Sequence, residues 1–417
     1  MIPDVPNEIK RRFYEMEKGF DFMIVEIGGS TGDIENLPFL YAAREMGRER
    51  KAMYVLVSYV PYLKNVGELK TKPTQHAISE LRSTGITPDI LITRSEIGLD
   101  LPRRETLAKR CFLDDDAIFD DKDCKSIYEV PLILEKQGIL KKIYKVFNLK
   151  KSPSASSGLI KWKKLINKSE KTINIALVGK YVNFGQGKHA DVYVSVMEAL
   201  KHGGIANNVE IKIDSIDSSE INIEELKQYD GIVVPQGWGS RGTEGIIDAI
   251  KIARENKIPY LGLCFGMQMA VVEFARNVLK IKNANSEEVD PNTKYHVVHV
   301  MPDQKKYLEL HQYGGTIRLG AWPCKLKSKT ILQKIYGVDM ILERHRHRYE
   351  VNNEFRKDLE KAGMKICGTS PDLKLVEAIE LKNHPFFLGT QFHPEYKSRP
   401  LNPHPIFAAF IAAMMKN

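Results

Sequence analysis

Apolar runs of strand length alternate with helix-period stretches along most of the chain. In residues 1–150 the strand candidates are 21–27 (DFMIVEI), 52–60 and 87–93 (TPDILIT), with helical patterns between them, as over 74–82 and 103–110. That alternation predicts a parallel, doubly wound sheet whose ligands sit beyond the carboxyl ends of the strands. A second such unit opens with the strand TINIALVG at 172–179. It continues through a helix over 192–202 that Gly203-Gly204 should end, and through strands at 209–213, 231–235 and 258–263. A β-rich stretch from about 295 to 380 follows, then a strand at 386–391, a turn HPEY and an apolar C-terminal helix. Two α/β domains, each a doubly wound parallel sheet, are therefore expected over 1–150 and 172–417. Between them, residues 141–169 hold nine lysines, no acid and the turn-rich SPSASSG. This predicts a basic linker over 151–171.

One junction carries candidate chemistry. The strand ending at Leu263 runs through Gly262-Leu263-Cys264-Phe265-Gly266 straight into an apolar helical pattern. A nucleophile between two close glycines at a strand-to-helix turn is an elbow, too sharp for Cβ atoms on both sides. Cys264 would then stand at a helix N-terminus, where unpaired N–H groups and the positive end of the helix dipole favour thiolate and can receive an oxyanion. A buried structural cysteine would fit this string alone. Downstream, LGTQFHPEY (388–396) places His393 and Glu395 just past a strand end. A cysteine nucleophile needs a base to ionise it and an acid for the leaving amine, and an imidazole oriented by a carboxylate serves as both. PQGWGSRGTEG at 235–245 follows another strand, and its backbone N–H groups could complete an oxyanion hole with that of Phe265.

Bulk composition narrows the partners. A chain of 417 residues holds two or three domains, and 43% hydrophobic residues with 28% charged are those of a globular protein. No apolar run reaches membrane-spanning length and the N-terminus MIPDVPNEIKRRF has no leader character, so a cytoplasmic protein is expected. Five scattered cysteines argue against a disulfide framework or a zinc site. The net charge of +9 suits nucleotides and other small anions; no nucleic-acid motif accompanies the lysine-rich segment, and no such partner is expected.

Longer strings carry a resemblance. VEIGGSTGDIENLPF (25–39), GELKTKPTQH (67–76), VGKYV (178–182), MEALKHGG (197–204), LGLCFGMQ (261–268), NANSEE (283–288), ERHRHRYEVNN (343–353) and QFHPE (391–395) resemble the CTP synthases, whose second domain is a class I glutamine amidotransferase. The resemblance covers essentially the whole chain. It implies that Cys264, with His393 and Glu395, forms a glutamyl thioester from glutamine. Gln236, Gly237, Phe265, Gly266, Met267 and Gln268 would line the glutamine site, Glu288 would bind the substrate ammonium and Arg348 its carboxylate. Ammonia would pass to the first domain and aminate a UTP activated by ATP. There Glu26 would hold Mg²⁺ carried with ATP. Asp33, Ile34, Glu35, Lys70, Thr71, Lys72, Pro73, Thr74, Gln75, Asp123 and Cys124 would contact nucleotides. GTP as an activator, CTP as a feedback ligand and assembly as a tetramer are further implications.

Three departures qualify it. The chain begins inside the family's synthase domain, without the glycine-rich phosphate loop, so this polypeptide alone is expected to be deficient in the ATP-dependent half. Gln236 stands where the family has glycine, a cost of roughly 1–2 kcal/mol if the position needs φ > 0. A family lysine before the Cys111 region falls on Thr106. The competing readings are a glutaminase or amidotransferase subunit alone, which has no use for KTKPTQ and GDIE, and a non-catalytic regulatory relative, which need not keep Cys264, His393 and Glu395 together.

Overall fold

In the computed structural model the described residues are 2–150, 155–165, 169, 171–184, 187–188, 192–310 and 316–416. The chain divides into two compact units, Met1–Ile166 and Asn167–Asn417.

In the first unit, helices α1 (Asp4–Met16) and α2 (Leu37–Glu49) precede strand β1 (Val55–Tyr59). Helix α3 (Lys72–Ser83), strand β2 (Ile90–Ser95), helix α4 (Leu101–Cys111) and strand β3 (Ile118–Lys122) follow. The three strands pair in parallel in the order β1-β2-β3. One face is closed by Ile78 of α3 and by Leu107, Ala108 and Cys111 of α4, packed on Leu91 and Ile118. The pattern at 52–60 and 87–93 thus gives the expected parallel sheet.

The strand expected at 21–27 does not form. Among the described residues the segment joins no ladder, and Phe22 and Ile24 are exposed. An apolar run becomes a strand only where neighbours take up its N–H and C=O groups and cover its side chains. Here the sheet ends at β1, whose own Val57 is 62% exposed. The expected linker also differs. Residues 155–164 form helix α5 (Ala155–Lys164), whose Trp162 donates its indole N–H to the Tyr128 carbonyl at 2.7 Å and meets the Tyr128 ring edge-on. An indole with an acceptor and a ring partner is a reason to dock. The rest of the 151–171 segment lies largely outside the described residues.

The second unit is built on one nine-stranded sheet. Its strands in chain order are β4 (Thr172–Gly179), β5 (Glu210–Asp217), β6 (Gly231–Val234), β7 (Tyr260–Leu263), β8 (Arg318–Leu326), β9 (Met340–His347), β10 (Met364–Thr369), β11 (Val376–Leu381) and β12 (Phe387–Thr390). Their spatial order is β9-β8-β10-β11-β12-β7-β6-β4-β5. From β5 to β12 the pairing is parallel, as expected. From β12 to β9 it is antiparallel, so the sheet is mixed rather than purely parallel. The seam is β12, parallel to β7 on one side and antiparallel to β11 on the other. The connections from Thr369 to Val376 and from Leu381 to Phe387 are too short for the crossover that parallel neighbours require.

Helices α6 (Val194–Asn207), α7 (Thr243–Glu255), α8 (Phe265–Asn277) and α9 (Pro405–Met414) cover the sheet. Ile246 and Ile250 of α7 share one core with Met267, Val271 and Phe274 of α8; Val196 and Leu200 of α6 share the other with Phe407 and Phe410 of α9. Gly203-Gly204 does not end α6, which runs on to Asn207 with Asn208 in the left-handed conformation as its cap. A Cβ at Gly203 would lie 2.7 Å from the Phe407 carbonyl oxygen, and one at Gly204 2.4 Å from Ile211 Cγ1. The pair lets α9 and β5 approach the helix. Gly203→Ala is therefore expected to destabilise the unit by about 1–3 kcal/mol despite its gain in helix propensity, read as a lower denaturation midpoint.

Candidate functional site

Strands β7 and β12 bring the site together. Leu263 pairs with Thr390, and the Cys264 N–H donates to the Thr390 carbonyl at 2.6 Å. Cys264 thus leaves one strand beside the point where the QFHPE segment leaves its neighbour. Cys264 has φ 51° and ψ −98°, a strained conformation of the kind that costs on the order of 1–3 kcal/mol. Both flanking glycines are needed: a Cβ on Gly262 would lie 2.8 Å from the Gly266 carbonyl carbon, and one on Gly266 2.2 Å from the Val234 carbonyl oxygen. Helix α8 starts at Phe265, so its first N–H groups have no intrahelical acceptor.

His393 is fully buried, and its Nδ1 is 2.8 Å from Glu395 Oε1 on the short 3₁₀ turn Pro394–Lys397. The ring stacks on Tyr396. Burial acts to lower the imidazole's pKa, but the Glu395 carboxylate and the Cys264 sulfur outweigh it, and the net shift is well upward. The Cys264 thiol also has the Arg346 carbonyl at 3.9 Å and the Gln391 amide nitrogen at 3.5 Å. Glu395→Gln, which loses the charge that holds the imidazole, is expected to slow glutamine turnover by on the order of 10²–10⁴-fold. Single-turnover formation of glutamate measures it.

The expected glutamine-lining residues divide. Gly237 lies against Phe265, where its missing Cβ would sit 3.6 Å from the Phe265 ring. Gln236 is not among the positive-φ residues, so no left-handed backbone penalty arises there; its side-chain oxygen is buried without a hydrogen-bond partner among the described residues. Glu288 accepts the Gly239 N–H at 3.0 Å; burial raises its pKa, while that N–H and Lys180 oppose the rise. Gln268 donates to the Tyr349 carbonyl at 3.1 Å and to the Gln391 amide oxygen at 3.2 Å. Arg348, next to Tyr349, is buried and donates to Thr316 at 3.0 Å. Gly266 is occupied in the elbow against β6. Met267 turns its side chain into the core against Gly389, leaving only its backbone for a ligand.

In the first unit, KTKPTQ and Asp123-Cys124 follow the carboxyl ends of β1 and β3, where ligands of such sheets sit. Lys70 is paired with Glu68 at 2.7 Å, and Asp123 with Arg94 at 2.6 Å. Thr71 accepts from Gln75, Lys72 and Pro73 open α3, and the Cys124 thiol faces the Ser126 carbonyl. Thr74 is the exception: fully buried, its hydroxyl joins Ser58 and the Tyr59 carbonyl, so it braces the strand and is not free for a ligand. Asp33 caps its turn by accepting the Ser30 N–H, with Ile34 and Glu35 exposed behind it. Glu26 is exposed and makes no ion pair among the described residues. A lone carboxylate fits a Mg²⁺ that arrives with nucleotide phosphates, not a resident ion with its own cage.

Sequence reasoning did not single out Gln391, whose amide nitrogen lies 3.5 Å from the Cys264 sulfur, or Lys180, whose Nζ donates to the Trp238 and Gly239 carbonyls. Gln391 stood inside QFHPE, two residues from the histidine. Lys180 directly follows an apolar strand, and a lysine at such a buried strand end was the available signal. His345, His347 and Glu377 form a buried cluster of metal-ligand types, but Arg318 Nη1 lies 3.4 Å, 3.3 Å and 2.6 Å from them and already supplies the cation.

Residues 1–149 match the family profile described as CTP synthase N-terminus, and residues 188–413 that of class-I glutamine amidotransferase. The chain is 49% identical to the CTP synthase of Caldanaerobacter subterraneus subsp. tengcongensis, with 100% of this chain and 78% of the relative covered. It is 47% identical to those of Bacillus subtilis and Methanocaldococcus jannaschii, at the same two shares. Among solved structures, the glutaminase domain of the Trypanosoma brucei enzyme, with bound acivicin, is 39% identical at a TM-score of 0.54, covering 59% of this chain and 94% of that one. Matched over its whole length to 78% of each of these curated CTP synthases, the chain belongs to the CTP synthase family.

Proposed function

We propose that the chain is a glutamine-hydrolysing CTP synthase, a carbon–nitrogen ligase, in which the second unit generates ammonia and the first uses it. The observation that carries this reading is the His393–Glu395 pair at 2.8 Å beside a cysteine on a strained elbow. The Cys264 thiolate attacks the glutamine carboxamide carbon, and the carbonyl oxygen becomes an oxyanion facing the N–H groups of Phe265 and Gly237. His393 gives its proton to the departing nitrogen, the C–N bond breaks, and ammonia leaves a glutamyl thioester. His393 then takes a proton from water, whose oxygen attacks the thioester; glutamate is released and the sulfur is restored. Glu288 and Arg348 supply the anion and cation that an amino-acid zwitterion requires.

In the first unit the ammonia attacks C4 of a UTP that ATP has activated there. Asp33, Ile34 and Glu35, the KTKPTQ segment apart from the buried Thr74, and Asp123-Cys124 would hold the nucleotides, and Glu26 would hold a Mg²⁺ carried with the phosphates, which would neutralise their charge. CTP as feedback ligand, GTP as activator, tetrameric assembly and a cytoplasmic location belong to the same reading. No helix among the described residues is long and apolar enough to cross a membrane. One observation favours a narrower second reading, glutamine hydrolysis alone: Glu26 stands on an exposed segment that has no strand partner among the described residues.

The test is to assay glutamate from glutamine, with and without GTP, and CTP from UTP, ATP and either glutamine or ammonia. Glutamate together with CTP bears out the full reading. No glutamate in any condition sinks the amidotransferase assignment; glutamate with no CTP from either nitrogen source selects the narrower reading.

A further inference from the structure

The loop 235–239 has to present the Gly237 N–H to the oxyanion, yet it is glycine-rich and its Trp238 is exposed. What fixes its shape is a buried ammonium. Lys180, at the carboxyl end of β4, is 1% exposed, and its Nζ donates to the Gly239 carbonyl, to the Trp238 carbonyl at 3.4 Å and to Thr243 Oγ1 at 3.1 Å. Those three acceptors saturate an ammonium's three donors. Nζ also lies 4.0 Å from the centre of the Phe265 ring, and the stem passes Gly237, whose missing Cβ would sit 3.2 Å from Lys180 Cδ. The remaining loop groups are tied from the other side. The Trp238 N–H donates to Tyr181 Oη at 3.1 Å and the Gly239 N–H to Glu288. Among the described residues the Gly237 N–H makes no hydrogen bond.

We propose that Lys180 is a positioning residue of the hydrolytic site: its ammonium clamps the carbonyls of residues 238 and 239 and thereby aims the Gly237 N–H at the oxyanion. This rests on the assignment of Cys264 as the nucleophile. The contacts of its ammonium are with the loop, with Thr243 and with the Phe265 ring at the start of α8, and it acts through them. A neutral amine would keep the packing but lose the charge that holds two carbonyls at once. Burial brings the Lys180 pKa down to about 8, the Glu288 carboxylate opposing the fall and the Arg241 guanidinium adding to it. Arg241 is itself paired with Asp217, and the Tyr193 hydroxyl, which accepts the Lys180 backbone N–H at 3.1 Å, and that of Tyr181 are the other titratable groups beside it. The clamp is thus complete below pH 8 and lost as the pH rises through that value.

The experiment compares the full chain with Lys180→Met and Thr243→Val, following steady-state glutamate release from pH 6 to 10, alkylation of Cys264 by iodoacetamide, and thermal denaturation. Alkylation forms no oxyanion, so it reports the nucleophile without the loop. For Lys180→Met a fall in kcat of about 10²-fold is expected, with KM and alkylation within about threefold and without the parent's decline above pH 8. Thr243→Val, which removes one acceptor of the ammonium, should move that decline to lower pH, and it keeps the proposal testable if the methionine variant does not fold. A kcat within threefold of the parent for Lys180→Met, or a parallel loss of alkylation, overturns the clamp, as does an unshifted decline in Thr243→Val. A parent that releases no glutamate overturns the clamp and the assignment of Cys264 together; an active parent with an unaffected variant overturns the clamp alone.

Discussion

Cys264→Ala is expected to cut glutamate release from glutamine by on the order of 10⁴-fold or more, because no other group at the elbow can form the acyl intermediate. Alanine keeps the Cβ and therefore the strained backbone, and the site is only 5% exposed, so the variant should melt close to the parent. Amination supported by added ammonia should be unaffected, since it bypasses the thioester. Parallel assays of glutamate and of CTP from ammonia check both statements. Residual glutamine hydrolysis near the parental level would remove the cysteine from the mechanism, and loss of both activities would show that the two units do not divide the work as proposed.

Gly266→Ala is expected to have a large effect for a single methyl group. Its Cβ would meet the Val234 carbonyl oxygen at 2.2 Å and carbon at 3.0 Å, and both are backbone of β6 that cannot turn aside as a side chain would. Either β6 and α8 part, or the elbow opens. The first outcome costs about 3 kcal/mol or more, which in a unit of this size lowers the melting temperature by roughly 10 °C. The second displaces Cys264 and costs on the order of 10²-fold in turnover. Calorimetry and single-turnover hydrolysis separate the two. A variant that matches the parent in both would mean that the close approach of β6 is dispensable.

The elbow, the His393–Glu395 pair and the parallel part of each sheet were legible because each depends on short-range pattern. Glycines flank a cysteine after an apolar run, and HPE follows another run, and the β7–β12 pairing joins them. What was not legible depends on neighbours. Residues 21–27 have the composition of a buried strand, but composition does not reveal whether a sheet edge is there to receive it. Gly203-Gly204 reads locally as a helix stop, whereas its reason is the approach of Phe407 from a helix two hundred residues later. Thr74 in KTKPTQ resembles a ligand contact until Ser58 and Tyr59 are seen to use its hydroxyl. Lys180 was hidden for the opposite reason: a single lysine after a strand is ordinary, and only the loop's carbonyls give it a task.

The pairing of β7 with β12 also sets when the site exists. Gln391 reaches Cys264 across 127 residues of chain, and the whole antiparallel half of the sheet is threaded between them. Contacts of such sequence separation form late, after the loop-closure entropy has been met by everything that lies inside the loop. A refolding chain can therefore regain the parallel strands β4 to β7, and the signals that report them, while Cys264 still lacks Gln391 and the proposed base His393 beside it. Recovery of glutamine hydrolysis is then a clock for the last step of assembly, and it should lag the return of secondary structure in any refolding time course.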